Sequence, residues 1–159
     1  MIRNVLIAVD SSERARGVFH MGTDIARRFA AKAFVVRVIS IPPDFPPAAH
    51  VAESDPLPEH LAQRALEDLR SIIDGAVDVE IATPLVRAGQ PWREILDAAE
   101  EIDADMIVLG SHGYNGWDRI LGTTAAKVAN LATRHVFVVH NRELAGRGGA
   151  AGERKGGPP

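Results

Sequence analysis

The chain alternates short apolar runs with longer amphipathic stretches, and this alternation limits the possible folds more than any other feature. The runs are brief and rich in β-branched side chains, which is typical of buried strands. The predicted strands are residues 5–9, 34–39, 77–86, 106–109 and 136–139. The third of these alternates apolar with polar residues and contains Pro84, so we expect it to lie nearer an edge of the sheet.

Helical periodicity fills the intervals between the strands. The predicted helices are residues 12–30, 59–73, 92–102 and 124–132. The first has an apolar face made of Ala15, Val18, Phe19, Gly22, Ile25, Ala26 and Phe29. Strands that alternate with helices build parallel sheets with right-handed crossovers. We therefore predict an α/β fold: one open, doubly wound, Rossmann-like sheet of five parallel strands, in the order 3-2-1-4-5, with helices on both faces.

Length and composition restrict the class of protein further. A chain of 159 residues is enough for one domain with its own core. It has no cysteine, which excludes disulfide scaffolds and thiolate metal sites, and its net charge of −3 gives no general attraction to nucleic acid. The N-terminal apolar run ends at Asp10 and is too short for a membrane span. We expect a cytoplasmic protein with no nucleic-acid or membrane partner.

Two segments fall outside the alternation. Residues 41–58 hold six prolines and predict a long irregular connection, which is either a lid over a site or slack. Residues 142–159 are rich in glycine and predict a disordered tail. The predicted domain is therefore residues 1–141.

The segment most suggestive of a ligand is the glycine-rich stretch that follows the fourth strand. Gly110, Gly113, Gly116 and Gly122 precede Thr123 and Thr124 at the predicted start of a helix. Exposed backbone amides, two hydroxyls and the positive end of a helix suit a phosphate group. The stretch matches neither a P-loop nor a G-x-G-x-x-G motif. It is equally consistent with a flexible connection in which Thr123 or Thr124 caps the helix.

Asp10 gains interest from its predicted place in the sheet. In the order 3-2-1-4-5, Asp10 ends the first strand and Gly110 ends the fourth, so both border the crevice where such sheets bind ligands. A carboxylate repels phosphate and would instead meet a ribose, an adenine or a cation. The alternative is that Asp10 is a turn residue or helix cap.

Several segments together resemble the universal stress protein family. They are Leu6 to Glu13, Val36 to Ile39, Gly89 with Pro91 and Ile95, Ala104 to Gly113, and Val136 to Val139. The resemblance implies an ATP-binding stress protein with a G-x2-G-x9-G-[ST] motif. Carried over, it gives Asp10 as the nucleoside contact, Val38 as the adenine-side residue, and a phosphate site made of Gly110, Ser111, His112, Gly113, Gly122, Thr123 and Thr124.

One departure from the family pattern leaves the function open. Between Gly113 and Gly122 there are eight residues where the motif has nine. We predict a nucleotide-responsive regulatory protein that binds ATP, with or without Mg²⁺. The alternatives are a stress protein that does not retain ATP and acts through its dimer surface, and a slow nucleotide hydrolase. The sequence offers no catalytic residues and no histidine pair with metal-site spacing.

A homodimer is the predicted assembly. The last strand would lie at the edge of the sheet, and an exposed apolar edge usually finds cover. The family resemblance also implies that this strand, with Val136 and Val138, pairs with its twofold mate.

Overall fold

A computed structural model describes residues 1–40, 59–74, 78–111 and 122–140. Within these ranges strands and helices alternate throughout. The elements are β1 (Asn4–Val9), α1 (Ala15–Phe29), β2 (Lys32–Ser40), α2 (Glu59–Ile73), β3 (Leu85–Gly89), α3 (Pro91–Glu101), β4 (Met106–Gly110), α4 (Thr123–Leu131) and β5 (His135–Val139). The irregular connection predicted at 41–58 and the disordered tail predicted at 142–159 lie outside the described residues. None of the described helices is long and apolar enough to cross a membrane.

The five strands form one parallel sheet in the order β3-β2-β1-β4-β5. This confirms the predicted fold class and strand order. The central strand, β1, is buried from Val5 to Val9, because helices cover it on both sides. The chain first winds outward from β1 through β2 to β3, then returns to the other side of β1 for β4 and β5.

Each face of the sheet packs against its own pair of helices. α1 and α2 cover a first core, which includes Val5, Ile7, Val35, Phe19 and Leu69. α3 and α4 cover a second core, which includes Leu6, Val36, Ile95, Ile107 and Val128. Successive side chains of a strand point to opposite faces, so residues of β1 alternate between the two cores.

α1 lies very close to β1. A Cβ atom added at Gly22 would come within 2.6 Å of the Ile7 side chain, so glycine is the residue that permits this contact. Phe29 was predicted on the buried face of α1, and this is wrong, since it is 50% exposed. The chain reverses at Ala30, which is in the left-handed region with φ of 51°. Ala31 takes the core position at this end instead.

The predicted strand at 77–86 is only partly correct. It lies at an edge of the sheet as expected, but its regular pairing with β2 covers Leu85–Gly89. The earlier part contacts β2 through one isolated bridge between Ile81 and Ala33. Pro84 separates the two parts, and it cannot donate to a strand ladder because it has no backbone N–H.

The edge of the sheet where β1 and β4 begin is tied together by Asp105 and Asn4. Asp105 Oδ2 accepts hydrogen bonds from the backbone N–H groups of Arg3 (2.7 Å) and Asn4 (3.0 Å). The Asn4 Nδ2 group donates to the carbonyls of Ile102 (3.1 Å) and Asp103 (3.2 Å). The Arg3 and Asn4 N–H donors lower the pKa of the Asp105 carboxyl below its ordinary value of 3.8. We call this edge the amino edge.

Candidate functional site

The opposite edge, where the parallel strands end, is the carboxyl edge. β1 and β4 are neighbours there, and the connections that leave them run to opposite sides of the sheet. Open α/β sheets bind ligands at this kind of position. Asp10 directly follows β1, and Ser111 directly follows β4, so the structure brings both predicted residues to this point.

Val38 and the start of α4 belong to the same side of the sheet. Val38 is half-buried and packs against the second core, to which α4 contributes Ala125 and Val128. It pairs with Arg87 of β3, near the end of β2. A ligand at the carboxyl edge on this side could therefore extend from β2 towards α4.

Asp10 is exposed and is held by a tight turn. Its Oδ1 accepts hydrogen bonds from the Ser12 backbone N–H (2.9 Å) and from the Ser12 hydroxyl (2.6 Å). The structure thus shows the turn role that the sequence left open. Among the described residues, Oδ2 of Asp10 has no hydrogen-bond partner, so this oxygen can accept from a ligand.

α4 begins without a side-chain cap. Its N-cap residue is Gly122, so neither Thr123 nor Thr124 caps the helix. The first intrahelical hydrogen bond runs from the Ala126 N–H to the Gly122 carbonyl at 2.9 Å. Within the described part of the chain, the N–H groups of Thr123, Thr124 and Ala125 therefore have no acceptor.

Two other amides predicted at the site are already used by the protein. The Ser111 N–H donates to the Val139 carbonyl at 2.9 Å, and the Gly122 N–H donates to the Ser111 carbonyl at 2.8 Å. Ser111 itself is only 2% exposed. Any backbone donors offered by the described part of this segment therefore come from the first turn of α4.

Gly110 has a packing role of its own. A Cβ atom at this position would lie 3.2 Å from the Val18 side chain of α1, so glycine lets α1 approach the end of β4. His112 and Gly113 lie outside the described residues. A ligand contact by any of these three residues stays a prediction.

Two cationic side chains around Trp92, one in α4 and one in α3, were not anticipated from the sequence. The Lys127 Nζ atom lies 5.2 Å from the centre of the Trp92 ring, and the Arg93 guanidinium lies 5.5 Å from it. Trp92 is in the first turn of α3, which follows the carboxyl end of β3. The signal available in the sequence was an aromatic residue at a helix start directly after a strand. The two cations add positive charge on the side of the sheet that carries α4.

The local geometry offers anion donors and a carboxylate acceptor at one edge. No acidic residue lies in the first turn of α4, so its positive end is not neutralised from within the helix. In the residues that the structure describes, no group of three or more His, Asp or Glu side chains is arranged to hold a metal ion.

Known proteins show the same architecture. A family model described as "Universal stress protein family" matches residues 1–140. The chain belongs to the universal stress protein family. Universal stress protein A homolog 1 of Coxiella burnetii is 28% identical over 145 residues, which cover 89% of this chain and 98% of that protein.

Two solved universal stress protein structures share the fold. UspA from Lactobacillus plantarum is 25% identical with a TM-score of 0.68, and the match covers 87% of this chain and 97% of that one. A universal stress protein from Archaeoglobus fulgidus, solved in complex with dAMP, is 28% identical with a TM-score of 0.55. That match covers 87% of this chain and 97% of the other.

Proposed function

We propose that this universal stress protein binds an adenine nucleotide, ATP, at the carboxyl edge of its sheet. The observation that carries the proposal is the start of α4, where three successive amides lack an acceptor among the described residues and no side chain caps the helix. Such a helix end is a ready site for a phosphate group. The hydroxyls of Thr123 and Thr124 add donors at the same place.

In the proposed site, different groups bind the phosphates and the nucleoside. The phosphates lie at α4, where amides and the helix dipole favour negative charge. Asp10 does not bind the phosphates, because a carboxylate repels a phosphate group. Its Oδ2 instead accepts from a ribose hydroxyl or from the amino group of the base. Val38 supplies apolar contact on the adenine side.

The solved relatives support a nucleotide ligand of this class. The Archaeoglobus fulgidus protein was solved with dAMP, an adenine nucleotide, and its sequence is 28% identical to this chain. We propose ATP, with or without Mg²⁺, as the preferred nucleotide of this class. The start of α4, which has no side-chain cap, would hold its triphosphate. Gly110, Ser111, His112, Gly113 and Gly122 belong to the proposed site as well.

We propose that binding, and not rapid turnover, is the function. Phosphoryl transfer needs a placed lysine, a metal-holding acid and a residue that orients the nucleophile. The sequence provides no recognisable set of this kind. Bound nucleotide would regulate by favouring one of two conformations for which its affinities differ. The absence of cysteine agrees with action in the cytoplasm.

Mass spectrometry of the purified, denatured protein, followed by calorimetric titration with ATP, tests the proposal. Co-purified ATP or saturable ATP binding at one site per chain is expected. No nucleotide and no titratable binding would overturn it and favour the form that acts through its dimer surface. ADP released at catalytic rates would instead identify a hydrolase.

The proposed assembly is a homodimer through β5. This strand is an edge of the sheet, and its Phe137 side chain is 40% exposed. Val136 and Val138 lie on the other side of the same strand, which would pair with its twofold mate. Analytical ultracentrifugation at micromolar concentration should give the mass of a dimer, and a monomer would refute the assembly.

A further inference from the structure

We infer that Ser12 is a positioning residue that sets the Asp10 carboxylate for nucleoside recognition. The inference rests on the proposed nucleotide site and adds a residue to it. Ser12 donates twice to one oxygen of Asp10, through its backbone N–H at 2.9 Å and its hydroxyl at 2.6 Å. The Ser12 hydroxyl acts through Asp10 and has no contact with ligand in this scheme.

The direction of these hydrogen bonds follows from the chemistry of the groups. An ionised carboxylate only accepts, so the single proton of the Ser12 hydroxyl is committed to Asp10 Oδ1. The lone pairs of the same hydroxyl face the Arg14 backbone N–H at 3.3 Å, at the N-cap of α1. The hydroxyl thus links the start of α1 to the carboxylate at the end of β1.

Two bonds to one oxygen fix the carboxylate and leave the other oxygen for a ligand. With Oδ1 held, the carboxylate cannot rotate freely, and Oδ2 has no partner among the described residues. An exposed aspartate without the hydroxyl would lose side-chain freedom on binding. Ordering a long side chain lowers the affinity by about twofold to tenfold, and a short side chain such as aspartate lies in the lower part of that range. Ser12 avoids part of that loss, because it orders the carboxylate before the nucleoside arrives.

Loss of the Ser12 hydroxyl should affect binding of the nucleoside and not binding of the phosphates. Loss of the hydroxyl should weaken contacts made by Asp10 and leave the phosphate contacts at α4 unchanged. We expect Ser12→Ala to reduce ATP affinity about twofold to fivefold, the lower part of that range, because the Ser12 backbone N–H still bonds to Oδ1 in this variant. Affinity for inorganic tripolyphosphate should not change.

The test is a double-mutant cycle measured by calorimetry with ATP. Ser12→Ala should weaken binding in the wild-type background and have no further effect in an Asp10→Ala background. Ser12→Thr keeps the hydroxyl and should bind ATP as tightly as wild type. Ser11→Ala is the matched control, because Ser11 is an exposed neighbour without a hydrogen bond among the described residues.

The outcomes separate this inference from the proposed function. If wild type binds ATP and Ser12→Ala binds equally well, the positioning role is overturned and the site stands. An equal loss with and without Asp10, or an equal loss of tripolyphosphate binding, would also overturn it, because Ser12 would then act only through the start of α1. If wild type binds no ATP, the proposed function and the positioning role fail together.

Discussion

Each of the two edges of the sheet carries an aspartate that accepts two hydrogen bonds with a single oxygen. At the amino edge, Asp105 accepts from the backbone N–H groups of Arg3 and Asn4, and it ties together the beginnings of β1 and β4. At the carboxyl edge, Asp10 accepts from the N–H and hydroxyl groups of Ser12. The edges differ in their backbone amides, because the first three amides of α4, at the carboxyl edge, have no acceptor among the described residues.

The difference shows where this fold leaves hydrogen-bonding capacity unused. Backbone amides are normally paired, and those of Arg3 and Asn4 at the amino edge follow that rule. The amides of the first turn of α4, which have no acceptor among the described residues, mark the carboxyl edge as the side that can accept an anionic ligand without breaking protein contacts. Substitutions at the two edges should therefore affect different measurements.

The largest expected effect comes from Gly122→Asp at the N-cap of α4. An aspartate there would accept hydrogen bonds from the Thr124 or Ala125 amide and should stabilise the helix by a few tenths of a kcal/mol. The same carboxylate would occupy the proposed phosphate site and repel the ligand. We expect ATP affinity to fall more than about 100-fold by calorimetry, since hydrogen bonds to charged groups contribute about 1.5–3 kcal/mol each.

Two further variants make that test specific. Gly122→Ala offers no acceptor and should keep most of the ATP affinity, and Gly122→Asn separates capping from charge. A Gly122→Asp protein that binds ATP as tightly as wild type would show that the phosphates do not lie at α4.

Alanine substitutions of the two aspartates, one at each edge, test whether the carboxyl edge determines binding and the amino edge determines stability. Asp10→Ala should weaken ATP binding between about 10-fold and 150-fold, because it removes a charged acceptor. It should lower the melting temperature less than Asp105→Ala does, because both Ser12 donors are exposed and can bond to water, whereas the Asn4 amide is partly buried. Asp105→Ala should lower the melting temperature, because two backbone donors lose their acceptor, and it should leave the ATP affinity of the folded protein unchanged.

Calorimetric titration and thermal melts on the same samples measure both effects. If Asp105→Ala lowered ATP affinity in folded protein, or if Asp10→Ala mainly lowered the melting temperature, the assignment of one edge to stability and the other to binding would be wrong.

The smallest expected effect is a pH dependence located at Asp105. Folding lowers its pKa, so the unfolded chain binds more protons in acid, and the contribution of this group to stability is lost as pH falls through the folded pKa. In urea unfolding between about pH 3 and 7, the free energy of unfolding of the wild type should exceed that of Asp105→Asn, and the difference should be largest above about pH 5. This difference in free energy of unfolding should become smaller towards about pH 3. A difference that increased in acid would contradict the lowered pKa of Asp105.

Much of the fold could be predicted because local patterns coincide with tertiary burial. The apolar runs of β1 and β4 and the middle of β2 are buried in the sheet, so their apolar composition was enough to predict these strands. The third strand was misplaced because alternation around Ile81 resembles a strand, while the ladder with β2 starts only after Pro84. Phe29 was misjudged because periodicity does not show that the helix ends at this residue and that the chain turns at Ala30.

The candidate site was less predictable than the fold. The sequence indicated that Asp10 and Gly110 border one crevice, because the predicted strand order makes β1 and β4 neighbours. It could not show that the Ser111 and Gly122 amides bond to protein carbonyls, because those partners are set by tertiary structure. The contact between Trp92 and Lys127 was missed for the same reason, since it joins two helices distant in sequence.

The hydrogen bond from the Gly122 N–H to the Ser111 carbonyl has a consequence for loop length. The chain leaves the sheet at Ser111, and the described part resumes at Gly122 with a hydrogen bond to the same residue. This bond ties the N-cap of α4 to the end of β4, so the sheet sets the position of the first α4 amides. A change in the number of residues between Gly113 and Gly122 is therefore compatible with an unchanged first turn of α4.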